Sequence, residues 1–92
     1  MGSTESLWFG RLGWGDAELT LLAKALPTCH KLEWLDLSEN EHVSLNGIRK
    51  LLPALLQLPQ LHQLDLHGCL AIGEQGRAML NQHLPVGVKV IL

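Results

Sequence analysis

The sequence predicts an α/β solenoid in which strand–turn–helix units stack side by side. Residues 32–47, LEWLDLSENEHVSLNG, return 29 positions later as LHQLDLHGCLAIGEQG, with leucine, aspartate and glycine at matching places. A fixed period between about 20 and 50 residues is the mark of a stacked repeat. Each copy begins with alternating apolar residues, typical of a strand, and continues with apolar residues at helical spacing. Leucine supplies 22 of the 92 residues, enough for a core shared between such units.

The first unit is the least regular. Its helix, DAELTLLAKALP, is predicted to begin with Asp16 as N-cap. Two alignments of its strand are open: a strict offset of 29 places Ser6 and Trp8 inside, whereas dropping one loop residue places Leu7 and Phe9 inside. The apolar side chains favour the second alignment. The helix face predicted to be buried consists of Leu19, Leu22, Ala23 and Leu26.

The second unit is clearer. Leu35 and Leu37 lie two apart in its strand, LEWLDL, and the helix NGIRKLLPALLQLP is predicted to have Asn46 as N-cap. Pro53 lies inside that helix, where it removes a hydrogen bond and crowds a carbonyl, so we expect a kink or a break. The predicted buried face consists of Ile48, Leu51, Leu52, Leu55 and Leu56.

The third unit repeats this order and is followed by a last strand. Leu64 and Leu66 take the places of the strand leucines, and a helix follows in GEQGRAMLNQHLP. The final residues, GVKVIL, alternate apolar and other residues and predict a closing strand. The predicted inward positions are Ala78, Met79, Leu80 and Leu84 in the helix, and Val88, Val90 and Leu92 in the strand.

LEWLDLSENEHVSLNGIRKLL and LHQLDLHGCLAIGEQGRAML resemble leucine-rich repeats, whose pattern is L-x-x-L-x-L-x-x-N/C-x-L. The long helical repeat is most similar to the ribonuclease-inhibitor class, which includes Ran GTPase-activating proteins and the arrays of NOD-like receptors. The resemblance implies parallel strands on a concave face and helices on a convex face. It implies about three repeats of 29 residues, roughly 7–31, 32–60 and 61–92, in a single domain spanning 1–92. The sequence leaves open whether that domain is complete, a fragment, or the C-terminal end of a longer array.

Asn40 and Cys69 occupy the N/C position of the pattern in successive copies. The resemblance implies that Asn40 caps backbone groups in the turn after its strand. Cys69 is predicted to be an inert buried thiol, as most buried cysteines are. Both roles are structural.

Composition excludes several classes of function. A net charge of −2 without a basic cluster argues against nucleic acid, and no apolar run is long enough to cross a membrane. The first residues lack the features of a secretory signal. Two cysteines, interpreted as free thiols, predict a reducing compartment, the cytoplasm or the nucleus, of which we expect the cytoplasm. MGSTES also matches a myristoylation pattern at Gly2, which the sequence leaves open.

The sequence offers no catalytic, metal or cofactor motif. Nucleotide-binding, hydrolase-elbow and zinc-protease patterns are missing, and the five histidines lack ligand spacing. Asp36 and Asp65 should lie side by side on neighbouring strands, an arrangement that can serve acid–base chemistry. An open sheet gives them no cleft, so we predict an acidic spot and no enzyme.

The outward positions of the strands predict a protein-binding face. Trp34 stands among carboxylates there, as interface anchors do, although a tryptophan that covers leucine edges would look the same. The resemblance favours a non-enzymatic protein–protein interaction module with a protein partner. The predicted partner-binding residues are Trp34, Asp36, Ser38, Gln63, Asp65, His67 and Trp8, with Ser6 and Gly10 continuing the rows.

Two other functions stay open at this point. A regulator of a small GTPase, like the Ran activators, would depend on a loop arginine, for which Arg11 is the candidate. The second possibility is that the chain is a purely structural segment of a longer array. Because the outer strands of an open sheet offer unpaired backbone groups, we also expect the chain either to self-associate through an end or to be a fragment whose neighbours are missing, unless Trp14 and the last strand cap the ends.

Overall fold

Strands and helices alternate along residues 5–92, the part of the chain that the computed structural model describes. The four strands form one parallel sheet in chain order, and each connection between neighbouring strands contains a helix. This α/β arrangement is consistent with a repeat-like fold. Gly2, the candidate myristoylation site, lies outside the described residues. The elements are β1 (Glu5–Trp8), α1 (Asp16–Ala25), a 3-10 turn (Leu26–Thr28), β2 (Leu32–Asp36), α2 (Leu45–Leu55), β3 (Gln63–Asp65), α3 (Gly73–His83) and β4 (Lys89–Ile91).

Strand register decides between the two alignments of the first unit. Leu7 pairs with Leu35, an offset of 28, so the alignment with one loop residue dropped is confirmed. Leu35 pairs with Leu64, an offset of 29, whereas Leu64 pairs with Val90, an offset of only 26. The spacing of 29 residues therefore holds between β2 and β3 and is not uniform along the chain.

The core lies between one face of the sheet and the three helices. Its most deeply buried members have 0–1% of their surface exposed, and burial of this apolar surface is the main stabilising term. They include Leu35, Leu37, Leu64 and Leu66 from the strands and the residues just after them, Leu19, Ile48, Leu51 and Leu80 from the helices, Leu26 from the 3-10 turn, and Val43 from the loop before α2. The opposite face of the sheet carries the half-buried and exposed side chains of the strands.

The predicted helix caps are wrong at both positions. Gly15 is the N-cap of α1, and its N–H donates to Glu18 Oε1 at 2.7 Å. The Asp16 carboxylate instead accepts hydrogen bonds from the N–H of Ser44, at 2.8 Å, and from its hydroxyl. Ser44 is the N-cap of α2, while Asn46 lies exposed in the first turn. Asp16 thus ties the starts of two neighbouring helices together.

Pro53 does not break α2, so the predicted break is wrong, while the kink stays a prediction. The helix continues through Pro53 to Leu55, and the proline ring is exposed. Pro53 removes the hydrogen bond that the carbonyl of Arg49 would have accepted. Because Arg49 is exposed, water can replace that bond. The predictions that Leu56 and Ala78 are buried are also wrong: Leu56 follows the last residue of α2, and Ala78 lies on the exposed face of α3.

The first three strands end in the same kind of turn. The third residue after each of these strands has a positive φ: Arg11 (57°), Glu39 (60°) and Gly68 (79°). Hydrogen bonds between neighbouring units continue into these turns, from Arg11 N to Ser38 O at 3.0 Å and from Glu39 N to His67 O at 2.6 Å. The left-handed backbone conformation at this position costs Gly68 little free energy, but it costs Arg11 and Glu39 about 1–2 kcal/mol each.

Candidate functional site

The helix-free side of the sheet, called the open face below, presents two rows of side chains across the four strands. Strand register places Ser6, Trp34, Gln63 and Lys89 in one row. It places Trp8, Asp36, Asp65 and Ile91 in the next. Ser38 and His67 continue β2 and β3 into the turns. The open face therefore brings together the seven residues singled out from the sequence, together with two others, Lys89 and Ile91.

Lys89 and Ile91 were missed, although the sequence contained the signal. Val88 and Val90 alternate inward in GVKVIL, which leaves Lys89 and Ile91 on the other face. In the structure Ile91 pairs with Asp65 and is half-buried. An apolar side chain therefore ends the row that begins at Trp8.

Two tryptophans form the apolar part of the open face. The ring centres of Trp8 and Trp34 lie 4.7 Å apart, with their planes inclined by 50°. Trp8 is 60% exposed, and its Nε1 donates to Ser6 Oγ at 2.9 Å. Trp34 is half-buried, and its Nε1 is covered and has no hydrogen-bond partner among residues 5–92. Aromatic pairs in contact are typical of binding surfaces, because they offer a large area with few rotatable bonds.

Asp36 and Asp65 stand next to each other on β2 and β3. Parallel strands are about 4.8 Å apart, so the two side chains are close neighbours. Oδ1 of Asp36 accepts the N–H of Ser38 at 2.8 Å, and Oδ1 of Asp65 accepts the N–H of His67 at 2.9 Å. Each carboxylate thus holds the turn that follows it. The second oxygen of each has no hydrogen bond within the described chain.

Two histidine–glutamate pairs border the open face. His67 Nε2 lies 3.6 Å from Glu39 Oε2, beyond the end of β3. His62 Nε2 lies 3.7 Å from Glu33 Oε1, at the opposite end of the same strands. Both histidines are exposed, and exposed pairs of this kind stabilise a fold only weakly.

Asn40 joins the turns of two units. Its side chain is fully buried, and its Oδ1 accepts the N–H groups of Leu12 at 3.1 Å and Trp14 at 3.0 Å. Its Nδ2 donates to the carbonyls of Phe9 and Leu37, both at 2.9 Å. One amide therefore satisfies four backbone groups in the loops that follow β1 and β2, and holds those loops together beside the sheet.

Cys69 takes the corresponding place one unit later. Its thiol is buried and donates to the carbonyl of Leu37 at 3.1 Å. Burial raises the pKa of the Cys69 thiol, against an opposing hydrogen bond from the backbone of Asn40, and the charge of nearby Asp65 adds to the rise. Because the thiolate is the reactive form, this environment disfavours reaction at Cys69.

We expect Cys69 to be alkylated much more slowly than Cys29, which is half-buried. Iodoacetamide treatment at pH 8, followed by peptide mass spectrometry, measures both rates. A thiol pKa raised in the folded state stabilises the fold at low pH, and this contribution is lost as pH rises through the folded-state pKa. In urea the chain unfolds and both thiols are exposed, so the difference between the alkylation rates of Cys69 and Cys29 should vanish. Equal rates in the folded protein would contradict this account of the thiol.

Arg11, on which a GTPase-regulating function would depend, is exposed in the turn after β1. Within residues 5–92, no group of three or more histidine, cysteine, aspartate or glutamate side chains is arranged to hold a metal ion. None of the helices described there has both the length and the apolar character that crossing a membrane requires.

The fold and the open face define a repeat-like α/β protein with one uncovered sheet surface. No family model matches the chain. Over 63 residues the chain is 43% identical to Tonsoku-like protein of Bos taurus. That stretch covers 67% of this chain and only 5% of the relative. The chain therefore spans a small part of the length of the protein that it matches.

Proposed function

We propose that the chain is a leucine-rich-repeat module of the ribonuclease-inhibitor-like class, and that it binds a protein partner through the open face without catalysing a reaction. The observation that carries this proposal is the juxtaposition of two tryptophans in contact and two neighbouring carboxylates on an uncovered sheet. The similarity to Tonsoku-like protein supports a repeat protein that acts through interactions. The proposed domain is 1–92, with units near 7–31, 32–60 and 61–92.

The repeat assignment is supported by what the units share beyond leucine. The positive-φ turn recurs after three strands. Gly47 and Gly76, 29 positions apart, are both buried in their helices and leave no room for a side chain, because a Cβ would collide with Asp16 and Ile72 respectively. Asp16 belongs to the preceding unit, so α2 approaches the layer before it closely, as stacking of units requires, whereas Ile72 belongs to the same unit as Gly76.

The binding assignment is supported by the composition of the open face. Interfaces are enriched in tryptophan, and the residues that dominate binding energy are often aromatic. Trp8 exposes 60% of its surface to water, a large apolar area that contact with a partner would bury. A net charge of −2 supports a protein partner over nucleic acid, and the two free thiols support a cytoplasmic setting.

The decisive test reverses the acidic pair. Asp36→Lys with Asp65→Lys should slow association with a captured partner at least tenfold, because interface charges act mainly on the rate of encounter. The partner is first isolated from a cytosolic extract on immobilised wild-type chain. Every protein that the wild-type chain retains is taken forward, and its retention on a Trp34→Ala, Asp36→Lys chain is recorded. Surface plasmon resonance then gives association rates.

The matched control is Glu41→Lys with Glu74→Lys, which makes the same change in net charge at two exposed positions outside the strands. It should bind at nearly the wild-type rate. If every captured protein binds the open-face variant and the control variant equally fast, the open face is not the binding site.

We also propose that the chain associates with itself through the outer strands. Among residues 5–92, β1 and β4 each pair on one side only, and Lys89 is the single charged residue of β4. Unpaired strand edges are templates for further pairing. Sedimentation velocity over a hundredfold range of concentration should show a dimer or larger species. A monomer throughout would mean that Trp14, which stacks on Phe9 with ring centres 4.7 Å apart, and the last strand cover the ends adequately.

A further inference from the structure

The open face carries acidic groups that no lysine or arginine of the described chain neutralises. Within residues 5–92 the side-chain contacts between a basic and an acidic residue are His62 with Glu33 and His67 with Glu39, and no lysine or arginine nitrogen lies within 4.0 Å of the Asp36 or Asp65 carboxylate. The charges of Asp36, Asp65 and Glu39 also reach the buried Cys69 thiol, whose pKa they help to raise. The potential at the ends of β2 and β3 is therefore negative, and it favours a cation.

The aromatic rings stand beside this negative region. Trp34 lies two residues before Asp36 on β2, and Trp8 pairs with Asp36 across β1 and β2. Two residues of a strand span about 7 Å, and an aromatic ring attracts a cation within about 6 Å of its centre. A single extended side chain on the sheet can therefore touch an indole face and a carboxylate together.

We propose that Trp8, Trp34, Asp36 and Asp65 form a subsite for an arginine side chain of the protein partner. This inference rests on the proposed protein-binding function and names the chemistry recognised. A guanidinium stacks on an indole and at the same time donates in-plane N–H groups to a carboxylate, whereas a lysine ammonium is a point charge that cannot stack. The unused Oδ2 atoms of the two aspartates are the acceptors for those N–H groups.

Charge complementarity indicates that the side chain bound in this subsite is a cation. Lys89 faces the same side of the sheet, but it pairs with Gln63 at the far edge, two strands away from Trp34 along that row. His67, beyond Asp65, is paired with Glu39. Among the described residues, the part of the open face on β1 and β2 thus has aromatic and acidic groups without a lysine or arginine beside them. An acidic or purely apolar segment would leave these carboxylates uncompensated.

The experiment uses ¹H–¹⁵N spectra of the whole chain, in which each of the three tryptophans gives one indole N–H signal. Acetyl-Gly-Arg-Gly-amide is titrated in, in parallel with the same peptide carrying lysine or citrulline, the uncharged analogue of arginine. The arginine peptide should shift the Trp8 and Trp34 signals and leave the Trp14 signal, which lies at the Phe9 stack, unchanged. Lysine should bind several-fold more weakly, and citrulline at least tenfold more weakly.

Two variants separate recognition from folding. Asp36→Asn with Asp65→Asn keeps an oxygen to accept the turn N–H groups but removes the charge, and should abolish the arginine shifts. Trp34→Phe keeps a ring in place and removes an indole N–H that has no partner, so the fold should persist while binding weakens. Glu41→Gln with Glu74→Gln is the charge-matched control and should bind normally.

Arginine and citrulline peptides that shift the same signals equally, or arginine shifts that survive in the double asparagine variant, would overturn the subsite. So would the lack of any shift of Trp8 or Trp34. The proposed function is judged separately by the capture experiment. A partner that is lost with the open-face variant, in a chain that ignores the arginine peptide, leaves the protein-binding function standing and removes only this inference.

Discussion

Replacing Asn40 with alanine should destabilise the chain by about 3–5 kcal/mol, since each buried donor or acceptor left unsatisfied costs roughly 1–3 kcal/mol. Three backbone groups lose their partner together, the N–H groups of Leu12 and Trp14 and the carbonyl of Phe9, while the carbonyl of Leu37 keeps the hydrogen bond from the Cys69 thiol. Small domains have only about 5–15 kcal/mol of stability in total. Urea unfolding followed by tryptophan fluorescence measures the loss.

Two controls define what is lost. Asn46→Ala changes the same side chain at an exposed position in the first turn of α2, and should alter the unfolding free energy by less than about 0.5 kcal/mol. Asn40→Asp keeps the acceptor for Leu12 and Trp14 but loses both donors, so it should still be strongly destabilising. If Asn40→Ala unfolds at the same urea concentration as Asn46→Ala, the amide does not hold the two turns together.

Leu64→Ala should cost about 2–5 kcal/mol, the usual range for a buried leucine whose removal leaves a cavity. Leu64 is fully buried in β3 and pairs with Leu35 on one side and Val90 on the other. Strands on both sides limit how far the surroundings can collapse into the space, which favours the upper part of the range. The midpoint of thermal unfolding should fall accordingly.

Leu70→Ala supplies the matched comparison, because Leu70 is 79% exposed in the same unit. This change should leave the thermal midpoint within a few degrees of wild type. An unchanged midpoint for Leu64→Ala would mean that the strand leucines do not form the core, and the repeat assignment would fall with it.

Local pattern was sufficient to predict the strands, the helices and the alignment of the first unit. The alternation of Leu35 with Leu37 and of Leu64 with Leu66 defines the inner face, and Leu7 follows by register. The helix caps were wrong because they depend on tertiary contact. Asp16 is a good N-cap by residue type, but Ser44 of the next unit binds its carboxylate, and no local rule contains that partner.

For the open face, too, local pattern predicted one part of the structure, and tertiary contact determined the rest. Strand periodicity predicted which residues point outward, since alternation requires only the order of residues. The contact between the Trp8 and Trp34 rings could not be predicted, because strand pairing places Trp8 opposite Asp36, and contact with Trp34 depends on how the two side chains are oriented. Lys89 and Ile91 were missed because β4 follows β3 at an offset of 26 and has no counterpart in the repeat of 29, although alternation within GVKVIL alone places both on the outer face.

The order of the strands also sets how the chain can acquire its structure. Every strand pairs only with the strand before or after it, so each pairing closes a loop of similar length at a similar entropic cost. No pairing needs the two distant ends to meet. Helix α2 buries six residues, against two each for α1 and α3, and it connects β2 to β3. Folding is therefore expected to nucleate at α2 and the strands beside it and to proceed outward, one strand at a time. During synthesis, β1 can pair with β2 on the ribosome before β4 has been made.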